Sequence, residues 1–379
     1  APVLETEELY TRKQGEDIVK QLYNFKDKGD RKVSLRPEMT PSLARMVMSR
    51  AGVLPMPIKW FSIPQCWRYE RMQKGRGREH FQWNVDIWGT TAISADAELF
   101  SVITTFLEGV GLTEEDVVIR VSSRKVLEEV LGSLGIEGDI FAETCIIVDK
   151  MDKLSPEVIN EQLAGLGHGP EVISTIQSTL GLKHLNSLKK VLKPESKALQ
   201  ELTELFEAID SYGISDWVEF DGSIVRGLAY YTGSVFEVND RKGKFRAICG
   251  GGRYDKLLST LGGKDLPATG FGFGDMVIME LLKDKGLLPQ LLSGVEDVVI
   301  ALEPELKNVA VKVASVLRDS DRLVDLVLEN KKMKWAFKHA ERVGANRIIL
   351  VAPEEWSRQK IKVKDLQSGE EFETTLEEI

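Results

Sequence analysis

The chain has 379 residues, 42% of them hydrophobic and 29% charged, with a formal net charge of −9. That length fits two or three globular domains, and the acidic balance excludes binding of nucleic acid through bulk positive charge. Its three cysteines, Cys66, Cys145 and Cys249, are odd in number and far apart, so neither a metal-ligand spacing nor a disulfide framework is present, which suits a reducing compartment. No apolar run approaches a membrane span and no signal peptide is visible, so no membrane partner is expected.

In chain order, a short strand and the stretch Thr6–Gln14 come first. Strands are then predicted at 21–25 and 32–35, with the turn at Lys26–Asp30. Thr40 as N-cap and Pro41 at the first helical position predict a helix through Arg50. Glu38 then stands at the strand-to-helix corner. Its carboxylate either favours the helix N-terminus through the dipole or is aimed into a cleft.

The stretch from Trp60 to Gly89 reads as two strands joined by a basic, glycine-containing loop. In the second strand Phe81, Trp83, Val85 and Ile87 alternate with Gln82, Asn84, Asp86 and Trp88, which predicts an apolar face on the core and polar side chains opposite. In the first, Arg68 and Glu70 share one face and Trp67 and Tyr69 the other. Arg71, Lys74, Arg76 and Arg78 crowd the loop beside Gly75 and Gly77. The hairpin is either a solvated element with a charged turn or a clamp for a polyanion, since guanidinium groups match phosphate oxygens in bidentate fashion.

A helix over 95–109 and a strand over 117–121 follow. From 123 to 213 the pattern is helical, with helices at Lys125–Leu134, from Ser155-Pro156 onward, at Glu171–Leu180 and at Ser196–Tyr212. No chemical groups cluster there, and His168 and His184 read as surface residues. Residues 217–238 return to strands. In Val225–Tyr231, a buried Arg226 needs an anion or a stack on Tyr230 or Tyr231. The three glycines of Cys249–Asp255 read locally as a turn. Residues 268–282 read as a glycine-bearing strand entering an apolar helix. Beyond a linker at 286–294, a βαβαβ series and a closing hairpin form a second domain. There Lys331, Lys332, Lys334 and Lys338 either meet phosphates or line a solvated helix face, and His339 reads as structural or surface.

The run CWRYERMQKGRGREHFQWNVDIWG resembles motif 2 of class II aminoacyl-tRNA synthetases, in the form closest to histidyl-tRNA synthetases. Val225–Tyr231 and Cys249–Asp255 resemble the two histidine-specific blocks of that family, ATGFGFGDMVIMELL resembles motif 3, and the second domain resembles the class IIa anticodon-binding domain. Pro2 resembles the proline that closes motif 1. The resemblance implies an α+β fold, a class II antiparallel sheet flanked by helices. The core would be divided between 1–122 and 216–285, with a helical insertion at 123–215 that lies against tRNA, a linker at 286–294 and an α/β anticodon-binding domain at 295–379.

The implied activity is histidine–tRNA ligation: the carboxylate of L-histidine attacks the α-phosphate of ATP, and tRNA(His) then takes the histidyl group. No protein nucleophile is needed, so catalysis is positioning plus charge stabilisation. The resemblance assigns Arg68 and Arg226 to the α-phosphate and the reacting carboxylate, and Glu70, Arg76 and Arg78 to ATP, the last two over its β- and γ-phosphates. It assigns Glu38, Thr40, Gln82 and Asp86 to the α-amino end of histidine, and Tyr230, Tyr231 and Tyr254 to the imidazole pocket. Mg²⁺ would ride on the ATP phosphates rather than on protein ligands. A homodimer in the cytoplasm or an organelle (chloroplast or mitochondrion) is implied. Two positions depart from the family pattern: Ala229 stands where aspartate is common, and Val277 where motif 3 has the arginine that stacks on adenine, a loss worth about 1–2 kcal/mol. These departures leave two alternatives, a non-catalytic regulatory subunit of histidine biosynthesis and a tRNA-binding sensor.

Overall fold

Glycine and large residues alternate through Ala268–Gly274, and this alternation sets the two sides of the main sheet. The computed structural model describes residues 2–14, 16–151, 154–224, 231–289 and 294–379, and the chain divides into two compact units, 1–288 and 289–379.

In the larger unit a small antiparallel sheet, ordered β1-β3-β2, comprises β1 (Leu4–Thr6), β2 (Asn24–Lys26) and β3 (Lys32–Leu35). The strand expected at 21–25 begins only at Asn24, because Glu16–Gln21 closes into a 3₁₀ turn. Helix α1 (Glu7–Gln14) lies between β1 and β2 in sequence, and helix α2 (Thr40–Met48) follows β3. Met39, not Thr40, is the N-cap of α2, with Thr40 the first helical residue, and the helix stops two residues short of Arg50. Placed there, the Thr40 hydroxyl accepts from Asn84 Nδ2 at 3.5 Å instead of capping.

The main sheet has eight strands: β4 (Ile58–Ser62), β5 (Gln65–Trp67), β6 (Glu79–Trp88), β7 (Val117–Ser123), β8 (Val218–Phe220), β9 (Ser234–Asp240), β10 (Cys249–Arg253) and β11 (Ala268–Gly274). Their order is β4-β6-β11-β10-β9-β7-β8, with β5 also paired to β6; only β7 and β8 run parallel. On one face Trp83, Val85, Ile87, Phe236, Val238, Phe271 and Phe273 pack against helix α3 (Ser94–Gly109). Trp83 meets Phe271 edge-on at 5.2 Å, and Phe100 of α3 meets Phe236 at 4.7 Å. Such edge-to-face pairs add about 0.5–1.5 kcal/mol each to the gain from burial.

The glycine run read as a turn is instead a central strand. A Cβ at Gly251 would overlap the Gly270 carbonyl and the side chains of Phe236 and Phe271, so the aromatic layer closes only over glycine. Tertiary packing overrides the low strand propensity of glycine here.

Helices α4 (Arg124–Gly132), α5 (Gly138–Val148), α6 (Pro156–Gly165), α7 (Pro170–Leu180), α8 (Leu185–Leu188) and α9 (Lys197–Ser211) fill the stretch between β7 and β8. Ser196 caps α9 by accepting from the Leu199 N–H at 3.0 Å. Leu131, Phe141, Cys145, Leu163 and Ile176 give α4–α7 a core of their own. His168 belongs to that interior rather than to the surface: it is buried, and its Nε2 lies 2.7 Å from Thr144 Oγ1. Helices α10 (Leu257–Thr260) and α11 (Asp275–Lys285) complete the unit.

The smaller unit is a five-stranded sheet of β12 (Asp297–Ala301), β13 (Val324–Leu326), β14 (Arg347–Val351), β15 (Ile361–Asp365) and β16 (Glu371–Thr374), in the order β13-β12-β14-β15-β16. The first three strands run parallel and the last two antiparallel. Helix α12 (Lys307–Asp319) contributes to the apolar core on one face, and helix α13 (Met333–Val343) to that on the other; a short helix α14 (Pro353–Ser357) follows β14. Asp297, fully buried at the start of β12, is held by Arg322 and by Arg347, whose Nε lies 2.7 Å from Asp297 Oδ1. A buried charge of this kind needs such pairing.

Candidate active site

The site face of the main sheet is defined by its register. Asp86 stands opposite Gly270, Gly270 opposite Gly252, Asn84 opposite Gly272, Gly272 opposite Gly250, and Gln82 opposite Gly274. Cross-strand partners share a face, so β6 presents Gln82, Asn84 and Asp86 along a floor of glycines. The face opposite Trp83 and Ile87 carries the polar side chains that alternation predicts, and it is not solvated: Asn84 and Asp86 are buried.

Tyr254, also buried, donates its phenolic hydrogen bond to Asp86 Oδ1. A Cβ on Gly270 would lie 2.5 Å from both of those oxygens, and one on Gly272 would overlap the Gln82 amide. The motif 3 glycines thus leave room for the polar side chains of motif 2. Tyr231 is half-buried, with its ring centroid 6.5 Å from that of Tyr254. Burial, and then the negative charge of Glu38, raise its pKa. Arg226 and Tyr230 lie outside the described residues.

The first strand of the hairpin breaks at Ile63-Pro64 into β4 and β5, and the chain leaves the sheet after Trp67. Arg68 and Glu70 therefore do not share a strand face; backbone bonds hold this segment instead. The Arg68 N–H donates to Arg78 O at 2.9 Å and the Tyr69 N–H to Gln21 O at 2.8 Å. Arg68 Nε donates to Pro37 O at 3.0 Å, Arg36 Nε to Gln65 O at 2.8 Å, and the Trp67 N–H to Arg36 O at 3.0 Å. These bonds tie the Arg36–Glu38 corner to the hairpin and set Glu38 close to Cys66 and Tyr231. Burial pushes the Cys66 thiol up to about 11; Arg36 and Arg68 oppose the shift and Glu38 adds to it.

Of the loop cations, Arg76 pairs through Nε with Glu70 Oε2 at 2.5 Å, and the Arg78 guanidinium lies 4.4 Å from the Tyr69 ring centroid. Gly75 takes a left-handed φ of 70°, and a Cβ there would meet Val277 Cγ2 at 3.3 Å. Lys74 sits 3.3 Å from Glu280 and 5.3 Å from the Phe245 ring centroid, while Arg246 donates to Gln73 Oε1. The loop therefore lies on the start of α11, with Val277 buried beneath it.

Two residues absent from the sequence-based site belong beside it. His80, on β6 with the parity of Gln82, lies near Arg68 and Asp275. Burial, and then the Arg68 charge, push its imidazole down to about 4, so it is neutral at pH 7. Glu237, opposite Gly250 on β9, brings a further carboxylate to the same face. Period-two alternation would have placed both. Among the described residues no group of three or more His, Cys, Asp or Glu side chains could hold a metal ion. Carboxylates and phenols around a glycine floor, with guanidinium groups along one side, fit a ligand that carries both an ammonium group and a growing negative charge.

A family model described as Histidyl-tRNA synthetase matches residues 1–275, and one described as Anticodon binding domain matches 297–379. The histidine–tRNA ligase, chloroplastic/mitochondrial, of Arabidopsis thaliana is 52% identical over 378 residues, covering 100% of this chain and 78% of that protein. The histidine–tRNA ligase of Opitutus terrae is 38% identical over 385 residues, covering 100% of this chain and 88% of that one. Among solved structures, histidyl-tRNA synthetase from Nostoc sp. PCC 7120 matches with a TM-score of 0.78 at 26% identity, covering 100% of this chain and 89% of its own. On these matches, which together span nearly all of the sequence, the chain belongs to the histidyl-tRNA synthetase family.

Proposed function

We propose that the chain activates L-histidine with ATP and transfers the histidyl group to the 3′ end of tRNA(His). In the first step a histidine carboxylate oxygen bonds to the α-phosphorus while the bond to the bridging oxygen breaks, releasing pyrophosphate. In the second, the terminal ribose hydroxyl attacks the histidyl carbonyl, AMP departs with the electron pair, and the hydroxyl proton is released. Charge builds on the α-phosphate and the reacting carboxylate, where Arg68 and Arg226 are assigned. Glu70, Arg76 and Arg78 are assigned to ATP, with Arg76 exchanging the Glu70 carboxylate for the β- and γ-phosphates. Glu38, Thr40, Gln82 and Asp86 take the α-amino end of histidine, and Tyr230, Tyr231 and Tyr254 the imidazole.

The observation that carries this reading is the Tyr254–Asp86 pair, seated on the glycine floor with the Glu38 corner tied in through Arg68. Mg²⁺ enters with ATP, carried on its phosphates. A homodimer is supported by the apolar surface at the sheet edge: Phe61 of edge strand β4 and Ile63 just beyond it are 73% and 60% exposed. An organellar compartment is supported by the chloroplastic/mitochondrial relative. No helix among the described residues is long and apolar enough to cross a membrane. The regulatory-subunit alternative is disfavoured by the anticodon-domain match and by the ligase names of the relatives. Charging of tRNA(His) with labelled histidine tests the reading; a folded protein that charges no tRNA with histidine overturns it.

A further inference from the structure

Trp335 is 37% exposed on α13, yet its indole is stacked on the His339 imidazole, centroids 4.7 Å apart and planes at 11°. His339 is in turn locked in its own plane: Nε2 lies 2.6 Å from Asp325 Oδ2, and Nδ1 accepts from Arg342 at 2.8 Å. Both ring nitrogens are therefore used by the protein, and the imidazole serves the indole as a flat, fixed backing. The Lys331 ammonium lies 5.6 Å from the indole centroid.

Charge around this stack is unevenly placed. Lys332, Lys334 and Lys338 are exposed, and among the described residues none is held in an ion pair. In the same unit Lys360, Lys362 and Lys364 are neutralised by Glu373, Glu355 and Glu371. Lys331 is the exception, its ammonium held 2.7 Å from Glu329 Oε2. A rigid exposed aromatic beside the three unpaired lysines is the arrangement that holds unpaired nucleotides, bases on the ring and phosphates on the lysines.

We propose that the Trp335–His339 stack is a base platform for one unpaired nucleotide of the tRNA anticodon loop, with Lys334 and Lys338 on the neighbouring phosphates. The incoming base takes the place of the Lys331 side chain, whose ammonium exchanges the Glu329 carboxylate for the phosphate. This rests on the synthetase reading, and Asp325 and Arg342 are positioning residues that fix His339. Duplex RNA fits less well, because its bases are already stacked and offer no free face.

Three substrates separate the outcomes: tRNA(His), a minihelix with the acceptor stem but no anticodon loop, and the isolated anticodon stem-loop. Trp335→Ala should raise KM for tRNA(His) about 5- to 150-fold, the range for removing one base–aromatic stack. It should leave histidine-dependent pyrophosphate exchange and minihelix charging unchanged, and Trp335→Phe should recover most of the loss. Unchanged KM for tRNA(His), or an equal loss on the minihelix, overturns the platform. If the protein charges no tRNA the synthetase reading fails separately. The platform is then judged by tryptophan quenching on adding the stem-loop: quenching that Trp335→Ala removes supports it. No quenching, or quenching matched by poly-glutamate, overturns it.

Discussion

Tyr254 donates a hydrogen bond to Asp86 from 168 positions further along the chain, and Gly270, between the two strands involved, has no room for a Cβ beneath that bond. Each of the three residues belongs to a different motif, so the contact joins the second histidine-specific block, motif 2 and motif 3 at one point. Tyr254→Phe removes the donor from a buried carboxylate. Hydrogen bonds to charged groups contribute about 1.5–3 kcal/mol, so KM for histidine should rise about 10- to 150-fold with KM for ATP little changed, as read by pyrophosphate exchange. Gly270→Ala should lose histidine activation as severely, while circular dichroism still reports the native sheet.

Val277 stands where the family resemblance places an arginine, and Gly75 packs on it. Val277→Arg would force a long charged side chain under the loop, so it should not improve ATP binding. Overpacking of this kind costs about 1–3 kcal/mol. Isothermal titration with ATP and urea denaturation of the variant check both halves; tighter ATP binding at unchanged stability would refute the loop contact.

His80 provides a pH test. Its folded-state pKa of about 4 lies below the ordinary 6.5 of histidine, so the unfolded chain takes up this proton first. The contribution is complete above pH 6.5 and is lost as pH falls toward 4. His80→Gln should flatten the fall in the urea midpoint across that window and leave the midpoint at pH 8 nearly unchanged.

Arg253 and Asp96 form a buried pair, 3% and 1% exposed, and Asp96 also accepts from Ser234 Oγ at 2.6 Å and Thr269 Oγ1 at 2.9 Å. Arg253→Met strands the carboxylate, so stability should drop by about 3–5 kcal/mol. A loss below 1 kcal/mol in chemical denaturation would show that the pair does not anchor β10 to α3.

Much of the site was legible because strand period survives in sequence. Gln82, Asn84 and Asp86 fall on one face by counting alone, and the same count, carried to His80 and Glu237, would have added them. Other features depend on distant partners. Three glycines read as a turn until Phe236 and Phe271 require them as strand. His168 looks like a surface residue among glycines until Thr144, 24 positions earlier, receives its imidazole. Thr40 is an attractive cap by type, yet Asn84 takes its hydroxyl and the helix begins one residue sooner. Helix α5 has no capping signal in its sequence, and its N-cap Glu137 makes no side-chain cap bond. The roles proposed for Glu38 and Arg68 rest on resemblance rather than pattern. The bonds through Pro37 and Arg36 explain how a helix corner and a hairpin remote in sequence meet.

Histidine activation without tRNA is read directly by histidine-dependent exchange of labelled pyrophosphate into ATP. Exchange should require L-histidine, be inhibited by histidinol, and fall sharply in Asp86→Ala. A folded protein that shows no exchange with histidine, or the same exchange with any amino acid, is not a histidine-activating enzyme.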